Sequence, residues 1–369
     1  MACRQYSMQI AVPFMQFRGG SSKGLFFNAH DLPANPAERD RLIQGAMEGM
    51  GSGDPRQIDG LGGGTSLTSK VAVISRSERL DTDLDYLFLQ VVIGKGRVSA
   101  GQNCGNILAG VLPFAIESGL FPASAPTTTA RIYMVNTGGL CEVTVQTPNG
   151  QMEYAGSTKV DGVLGTAAPI LCNYLDIAGS SCSALLPTGN RQDMIEGTAV
   201  TCIDNGMPEV VLRAADFGLT GYETPAELEA NDGLRHKLEC IRLAAGPLMN
   251  LGDVTRKTVP KMCLIAPPQQ GGLVSTRTFI PHTVHEAIGV LGAVSTATAC
   301  LLSGSVAEGI AVMPSNFTEG YSIEHPTGEL TVQLEFTQQD GTMQVGKSGV
   351  MRTARLLSRG EVLVPVTGE

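Results

Sequence analysis

Two short stretches, SKVAVI at Ser69–Ile74 and PKMCLI at Pro260–Ile265, decide how this chain folds. Each places a lysine before a run of apolar residues, which is typical of a buried β-strand that starts at the lysine. A second pair of stretches, Thr137–Val145 and Thr327–Leu334, repeats a Thr-Gly turn followed by an alternating pattern. Because both pairs recur in the same order, roughly half the chain length apart, we infer an internal duplication.

Two further features support the duplication. The segments Pro148–Gly150 and Gln339–Gly341 predict a hairpin turn in each half, since Asn-Gly and Asp-Gly are strong hairpin signals. Between the lysine strand and the hairpin, each half carries one Gly/Ala-rich apolar helix. These helices are predicted from Gly105 to Ser118 and from about Ile288 to Ala299.

The duplicated order predicts an α+β fold with two pseudo-symmetric lobes, residues 1–186 and 187–369, each with strands wrapped around a central helix. A cleft between two such lobes is a usual place for a small-ligand site. The length and the 43% hydrophobic content suit two domains with sizeable cores.

Composition excludes several classes of protein. The net charge of −9 and the lack of a Lys/Arg-rich run argue against nucleic-acid binding. No apolar run approaches the roughly 20 residues that a membrane-spanning helix needs. The nine cysteines include no C-x-x-C, so we expect free thiols, no zinc site and a cytoplasmic location. The sequence leaves the formation of a homo-oligomer open.

The best candidate for acid–base chemistry is Cys104. It stands at the start of the first predicted helix, between Asn103 and the pair Gly105-Asn106. The partial positive charge of a helix N-terminus stabilises a thiolate. The free N–H groups of Gly105 and Asn106 would bind a carboxylate there. The pattern therefore favours proton abstraction next to a carboxylate or ketone. The alternative is a structural cysteine that caps a helix.

A glycine-rich loop adds further donors. In the segment Arg18–Gly24 the glycines allow a tight turn, and Arg18, Ser21, Ser22 and Lys23 would line an anion-binding nest. Lys70, which begins a strand after a Gly- and hydroxyl-rich segment, would bind a carboxylate or act as the partner acid. An ordinary hairpin turn and a solvated strand end are the alternatives for these two features.

Two other motifs could indicate a nucleotide site and a metal site. Gly341–Ser348 matches the P-loop pattern G-x-x-x-x-G-K-[ST] letter for letter. A P-loop, however, needs a helix directly after it, and here the alternating pattern predicts a hairpin strand. His282 and His285 are not accompanied by a carboxylate in a familiar metal-binding pattern, so we expect no metal site.

Taken as a set, these motifs resemble the methylaconitate isomerase family, PrpF-like, within the diaminopimelate epimerase fold. The similarity rests on Arg18–Gly24, Leu67–Val71, Gln102–Asn106 and Met351–Arg355, which span nearly the whole chain. Other stretches, such as Thr201–Pro208, look closest to the oxalomesaconate-tautomerising members of the family.

The resemblance implies a two-lobed isomerase without a cofactor, acting on a small di- or tricarboxylate. It implies that Cys104 and Lys70 are the catalytic pair. Epimerase relatives carry a second catalytic cysteine at the matching helix start, where this chain has Gly289, so an isomerase fits better than a racemase.

The second half is expected to contribute to the site through Asn205, Met207 and Lys261. One of Cys104 and Lys70 would take a proton next to a carbonyl or carboxylate, and reprotonation elsewhere would move the double bond. Which of the two is the base stays open. A non-catalytic carboxylate-binding protein and a P-loop nucleotide binder are the alternative functions.

Overall fold

The computed structural model describes residues 4–6, 9–49, 53–101, 103–313, 320–339 and 342–365. The chain divides into two compact units. The first contains the residues up to Asn173 and those from Met351 onward, and the second runs from Tyr174 to Val350. The predicted lobes were residues 1–186 and 187–369. The main difference is at the C-terminal end, which belongs to the first unit because β20 (Ala354–Pro365) pairs with a strand of that unit.

The strands of the first unit are β1 (Arg4–Tyr6), β2 (Gln9–Gly19), β3 (Ser22–Asn28), β4 (Lys70–Arg76), β5 (Leu84–Val92), β6 (Arg97–Ser99), β7 (Thr127–Met134), β8 (Gly139–Gln146), β9 (Thr158–Lys159), β10 (Thr166–Ala167) and β20 (Ala354–Pro365). Its helices are α1 (Pro36–Glu48), α2 (Gly105–Leu108) and α3 (Val111–Glu117), with a 3₁₀ turn at Ala29–Asp31. Strand β11 (Ile170–Leu175) spans the boundary between the units.

The strands of the second unit are β12 (Asp193–Ile195), β13 (Thr198–Asp204), β14 (Pro208–Arg213), β15 (Lys261–Ala266), β16 (Val274–Phe279), β17 (Tyr321–His325), β18 (Gly328–Gln339) and β19 (Thr342–Arg352). Its helices are α4 (Pro225–Glu229), α5 (Asp232–Leu248) and α6 (Val290–Leu301), with a 3₁₀ turn at Ala214–Phe217. No helix among the residues that the structure describes is long and apolar enough to span a bilayer.

The two units repeat one strand order. In the first, β2 to β5, β7 and β8 pair successively as antiparallel, parallel, antiparallel, parallel and antiparallel neighbours. In the second, β13 to β18 follow the same sequence of pairings. Lys70 and Lys261 each begin the third strand of this order. The predicted duplication, with the lysines on equivalent strands, is therefore confirmed.

A central helix lies in each unit. The apolar α6 contacts β13, β14, β17 and β18, and almost all of its residues are buried, as expected for a helix that is apolar all round. The predicted helix from Gly105 to Ser118 was wrong in one respect, because it is broken into α2 and α3. Pro113 has no N–H to donate, and in a continuous helix its ring would clash with the carbonyl of Ala109.

The hairpins also differ between the units. In the second unit β18 and β19 form a long antiparallel pair that reaches Gln339 opposite Thr342. The turn residues Asp340 and Gly341 lie outside the described part. In the first unit Gly150 closes a turn onto Thr147, but the chain does not return directly as a strand. In the first unit the turn predicted from Asn-Gly is therefore present, but the predicted hairpin was wrong.

Candidate active site

The turn between β2 and β3 packs directly against the start of α2. A Cβ at Gly19 would lie 2.3 Å from the backbone oxygen of Asn106, and one at Gly20 would lie 2.0 Å from Asn106 Oδ1. Gly20 also has a φ of 51°, a conformation that favours glycine. Asn106 Nδ2 donates to Ser21 Oγ at 3.2 Å. The glycine-rich loop and the helix start thus meet at one place.

Cys104 is the residue that caps α2. Its backbone is extended, its side chain makes no capping hydrogen bond, and its thiol is free and partly exposed. The first N–H groups of a helix have no partner inside the helix, so those of Gly105 and Asn106 are left for a ligand. Tyr86 Oη donates to the backbone oxygen of Cys104 at 3.2 Å, which fixes the residue from β5.

Asn103 lies on the other side of Cys104 in the chain. Its Nδ2 donates to Thr137 Oγ1 at 2.5 Å, while its Oδ1 is buried without a hydrogen-bond partner among the described residues. The buried Ser22 Oγ is likewise unpartnered there. Ser22 stands opposite Gly19 in the hairpin and so belongs to the same face as the helix start. Unpartnered buried polar atoms are costly and often mark the place of a ligand.

Lys70 approaches the same region from β4. It pairs with Gly24, and a Cβ at Gly24 would lie 2.5 Å from the Lys70 oxygen and 3.2 Å from Ile107 Cδ1. The side chain is 7% exposed; its Nζ donates to Gln90 Oε1 at 3.0 Å and lies 5.2 Å from the centre of the Phe88 ring.

No described carboxylate forms an ion pair with Lys70, so its charge is compensated only by an amide oxygen and an aromatic face. Gln90 is itself held by donating to the Ser69 oxygen at 2.9 Å. A nearly buried ammonium in such surroundings would gain from an anionic substrate.

The side chains of Arg18 and Lys23 lie on the face of the sheet away from the start of α2, contrary to the prediction that they line the same anion-binding nest as Ser21 and Ser22. Arg18 and Lys23 are direct cross-strand partners and therefore share one face of the β2–β3 hairpin. The neighbouring Phe17 lies on the opposite face, against Phe26 and Phe114 of the core around the helices. The Arg18 guanidinium donates from Nη1 to the Gly20 oxygen at 2.8 Å and to Thr353 Oγ1 at 3.0 Å.

In the second unit, Asn205 and Met207 are anchored to α6. Asn205 is buried, and its Nδ2 donates to Thr298 Oγ1 at 2.9 Å. Ser295 Oγ accepts from the Asn205 N–H and donates to the Met207 oxygen at 2.8 Å. These contacts position both residues within their own unit, and the Asn205 Oδ1 stays unpartnered among the described atoms.

Lys261 occupies the position of Lys70 in the second unit, but it faces a carboxylate. Glu209, which pairs with it across β14 and β15, is fully buried, and its Oε2 accepts from Thr296 Oγ1 at 2.6 Å. Burial raises the pKa of Glu209 to about 8, against the opposing effects of the Thr296 hydrogen bond and the Lys261 charge. Burial lowers the pKa of Lys261 to about 8, and Glu209 partly opposes this shift.

Sequence reasoning missed Glu209. The signal available for it was a carboxylate next to the apolar run Val210–Leu212, a pattern that places a charge in a buried strand.

The second helix start carries no thiol. Gly289 caps α6 as Cys104 caps α2, which agrees with the equivalence inferred from the sequence. The P-loop motif is also accounted for, because Gly346, Lys347 and Ser348 all lie inside β19, where Ser348 pairs with Leu334. Since β19 is a hairpin strand with no helix after it, the nucleotide-binding alternative was wrong.

A family model described as PrpF protein matches residues 9–365. The chain belongs to the PrpF family. It is 54% identical over 356 residues to the 4-oxalomesaconate tautomerase of Pseudomonas putida, covering 96% of this chain and 97% of that protein. It is 56% identical over 354 residues to the (4E)-oxalomesaconate Delta-isomerase of Novosphingobium sp., covering 96% and 98%.

The structure resembles a crystal structure of methylitaconate-delta-isomerase, with a TM-score of 0.85, 31% identity and 98% of each chain covered. The fold expected from the PrpF resemblance is thereby confirmed. The expectation of an isomerase is confirmed as well, since each of these PrpF relatives and neighbours is named as an isomerase or tautomerase.

Proposed function

We propose that this PrpF-family isomerase acts on 4-oxalomesaconate, moving a proton and a double bond, with Cys104 and Lys70 as its acid–base pair. The substrate is suggested by two relatives above 50% identity that carry oxalomesaconate names. The chemistry is suggested by one observation above all. The free thiol of Cys104 stands at the start of α2 without making a capping hydrogen bond, and the glycine turn Gly19-Gly20 packs closely against this helix start.

The surroundings of the thiol suit an anionic, conjugated substrate. The amides of Gly105 and Asn106, the hydroxyls of Ser21 and Ser22 and the unpartnered Asn103 Oδ1 are the polar groups that we expect to contact the substrate. Lys70 supplies positive charge that no described carboxylate neutralises. A substrate carboxylate held there would place the carbon next to its carbonyl within reach of the thiol.

The reaction would then proceed as a proton transfer. One of Cys104 and Lys70 removes a proton from the carbon next to the carbonyl or carboxylate. The electron pair left behind spreads through the conjugated system onto oxygen, where backbone N–H groups stabilise the enolate. Return of a proton at a different carbon, or at oxygen, completes the shift of the double bond. Asn205, Met207 and Lys261 stay predictions as substrate contacts.

The experiment is a comparison of substrates and of two cysteine variants. Purified protein is assayed by ultraviolet absorbance with 4-oxalomesaconate and with 2-methylaconitate, and we expect the higher kcat/KM for 4-oxalomesaconate. Cys104→Ser should lose about 10²–10⁴-fold in kcat, the usual contribution of a general acid–base group.

Cys240→Ser is the matched control, because Cys240 is also free and partly exposed but lies in α5 of the second unit. It should keep wild-type turnover. A higher kcat/KM for 2-methylaconitate would contradict the proposed substrate, and full turnover by a folded Cys104→Ser would contradict the proposed thiol.

A further inference from the structure

The face of the sheet that carries Arg18 borders a cavity of about 420 Å³ within the first unit. Its basic and hydroxyl-bearing wall comes from Arg18 in β2, Arg355 in β20 and Thr353, which stands just before β20. The rest of the wall comes from the segment between Tyr154 and Ala167, which includes Val160, Val163 and Leu164. The cavity is therefore apolar on one side and doubly cationic on the other, and no acidic residue lines it.

The two guanidinium groups stand side by side. Arg18 and Arg355 are directly paired across β2 and β20, so their side chains leave the sheet on the same face. Lys23 pairs with Arg18 from the other neighbouring strand and adds a third positive charge to this face. Burial, and then the charge of Arg355, lower the pKa of Arg18.

Three acidic residues near this wall are engaged by other groups. Glu153, which precedes Tyr154, accepts from the Ala155 N–H at 2.7 Å. Glu117 accepts from Tyr154 Oη at 3.2 Å and lies 3.9 Å from Arg359. Asp161 lies 3.4 Å from Lys159 Nζ. Among the described residues, none of these carboxylates forms an ion pair with Arg18 or Arg355, so the cavity keeps its positive charge.

The alternating faces of β2 separate the Arg18 side of this cavity from the proposed active site. Residues that alternate along β2 point to opposite faces, and Phe17 places the helices α2 and α3 on the face away from Arg18. Arg18 and the Cys104 region thus lie on opposite faces of β2. The wall segment comes near the active-site turn at one point, where a Cβ at Gly162 would lie 3.5 Å from Ser21 Cβ.

We propose that this cavity is a second small-molecule site, which binds a short-chain organic carboxylate by its anionic end at Arg18 and Arg355. Paired guanidinium groups match the geometry of a carboxylate, and the hydroxyl of Thr353 offers a further polar contact. The apolar side formed by Val160 and Val163 suits a short hydrocarbon chain, which an inorganic anion would not use.

The test uses glutarate as the probe and isothermal titration calorimetry as the readout. Arg355→Gln removes one guanidinium that makes no described hydrogen bond, and we expect the Kd of one glutarate-binding event to rise about 10-fold or more. Arg97→Gln is the matched control, because Arg97 is exposed and lies on β6 away from the cavity wall. It should leave the Kd unchanged.

A second pair of variants keeps the test independent of Arg355. Leu164 at the rim and Leu80 in a distant turn are both fully exposed, so either should tolerate aspartate. Leu164→Asp places a negative charge at the opening and should weaken glutarate binding, whereas Leu164→Asn and Leu80→Asp should not. The kcat and KM for 4-oxalomesaconate should stay at wild-type values in all of these variants.

Three results would overturn the proposal. Unchanged glutarate binding in both Arg355→Gln and Leu164→Asp would show that the cavity is not the site. A loss of turnover parallel to the loss of glutarate binding would make the cavity part of the active site. Equal affinity for inorganic phosphate and glutarate would show attraction to charge alone, with no preference for an organic carboxylate.

Discussion

The two units of this protein share a strand order but differ in the groups that stand at equivalent places. In the first, a cysteine caps the central helix and a glycine faces the strand lysine. In the second, a glycine caps the helix and a buried glutamate faces the strand lysine. One copy of the fold therefore has a thiol at its helix start and a glycine beside its strand lysine, while the other has no thiol there and a buried carboxyl group beside its lysine.

The difference teaches how a duplicated fold can become asymmetric with few changes. At the Gly24 position the backbone of Lys70 and the side chain of Ile107 leave no room for a side chain, so no carboxylate can stand beside Lys70 there. At the equivalent Glu209 position a carboxyl side chain is accommodated and buried. A racemase that works through two opposed thiols would need a cysteine at both helix starts, and only one is present.

The largest expected effect distinguishes the two lysines. Lys70→Met should lower kcat by about 10²-fold or more, because it removes a group proposed to move the proton. Lys261→Met should change KM and stability while leaving kcat near wild type, because the helix start of its unit carries no thiol and Lys261 is not proposed to move the proton. Steady-state kinetics on both variants checks this. An equal loss of kcat would contradict the claim that only the lysine of the first unit takes part in the proton transfer.

A second prediction concerns the contact between the glycine turn and α2. Gly20→Ala should displace Asn106 and lower kcat/KM, on the order of 10²-fold for a misplacement of about 1 Å. Gly94→Ala is its control, because Gly94 also has a positive φ, 67°, but nothing lies within 4 Å of the added Cβ.

Both glycine variants should lose roughly 1–2 kcal/mol of unfolding free energy from the left-handed backbone conformation. Gly20→Ala should lose more than Gly94→Ala, because its Cβ must also displace Asn106. Urea unfolding measures both losses, and only Gly20→Ala should lower turnover. Similar turnover in the two variants would mean that the packing of the turn does not position the active site.

The buried glutamate predicts a pH-dependent stability. Because its pKa is raised on folding, the native state binds a proton more tightly than the unfolded chain, and stability falls as the pH rises from about 4.5 through about 8. Glu209→Gln resembles the protonated form, so it should match wild type at pH 5 and be the more stable protein at pH 8. Denaturant unfolding at both values tests this, and a constant difference between the two proteins would contradict the shift.

The smallest effect is expected at the helix start of the second unit. Gly289 has a φ of −67° and open space around an added Cβ, so Gly289→Cys should fold normally. It should neither change turnover in the wild type nor restore it in Cys104→Ser, because Lys261 faces Glu209 rather than an open place. Restored turnover in the double variant would show that a cysteine at the helix start is enough for catalysis, whatever stands beside the strand lysine.

Much of this arrangement could be predicted from the sequence because it depends on local patterns and on the repeat. The lysine strands, the central helices and the equivalence of Cys104 and Gly289 all follow from comparing one half with the other. The pairing of Cys104 with Lys70 as catalytic residues came from the resemblance to the family and stays a prediction.

The features that could not be predicted depend on long-range pairing and on strand faces. The return of β20 to β2 is a contact between the two ends of the chain, which no local signal reveals. The direction of Arg18 depends on the register of β2, since a shift of one residue moves a side chain to the other face. The break before α3 was readable from Pro113, but the apolar run around it favoured one continuous helix.

The most direct test of the account is the exchange of substrate protons with solvent. 4-Oxalomesaconate is incubated in D₂O with wild type, Cys104→Ser or Cys240→Ser, folding is checked by circular dichroism, and deuterium incorporation is followed by NMR. The account predicts incorporation with wild type and with Cys240→Ser, and a loss of about 10²–10⁴-fold in its rate with Cys104→Ser. Incorporation by a folded Cys104→Ser at the wild-type rate would contradict the claim that the thiol of the first unit takes part in the proton transfer.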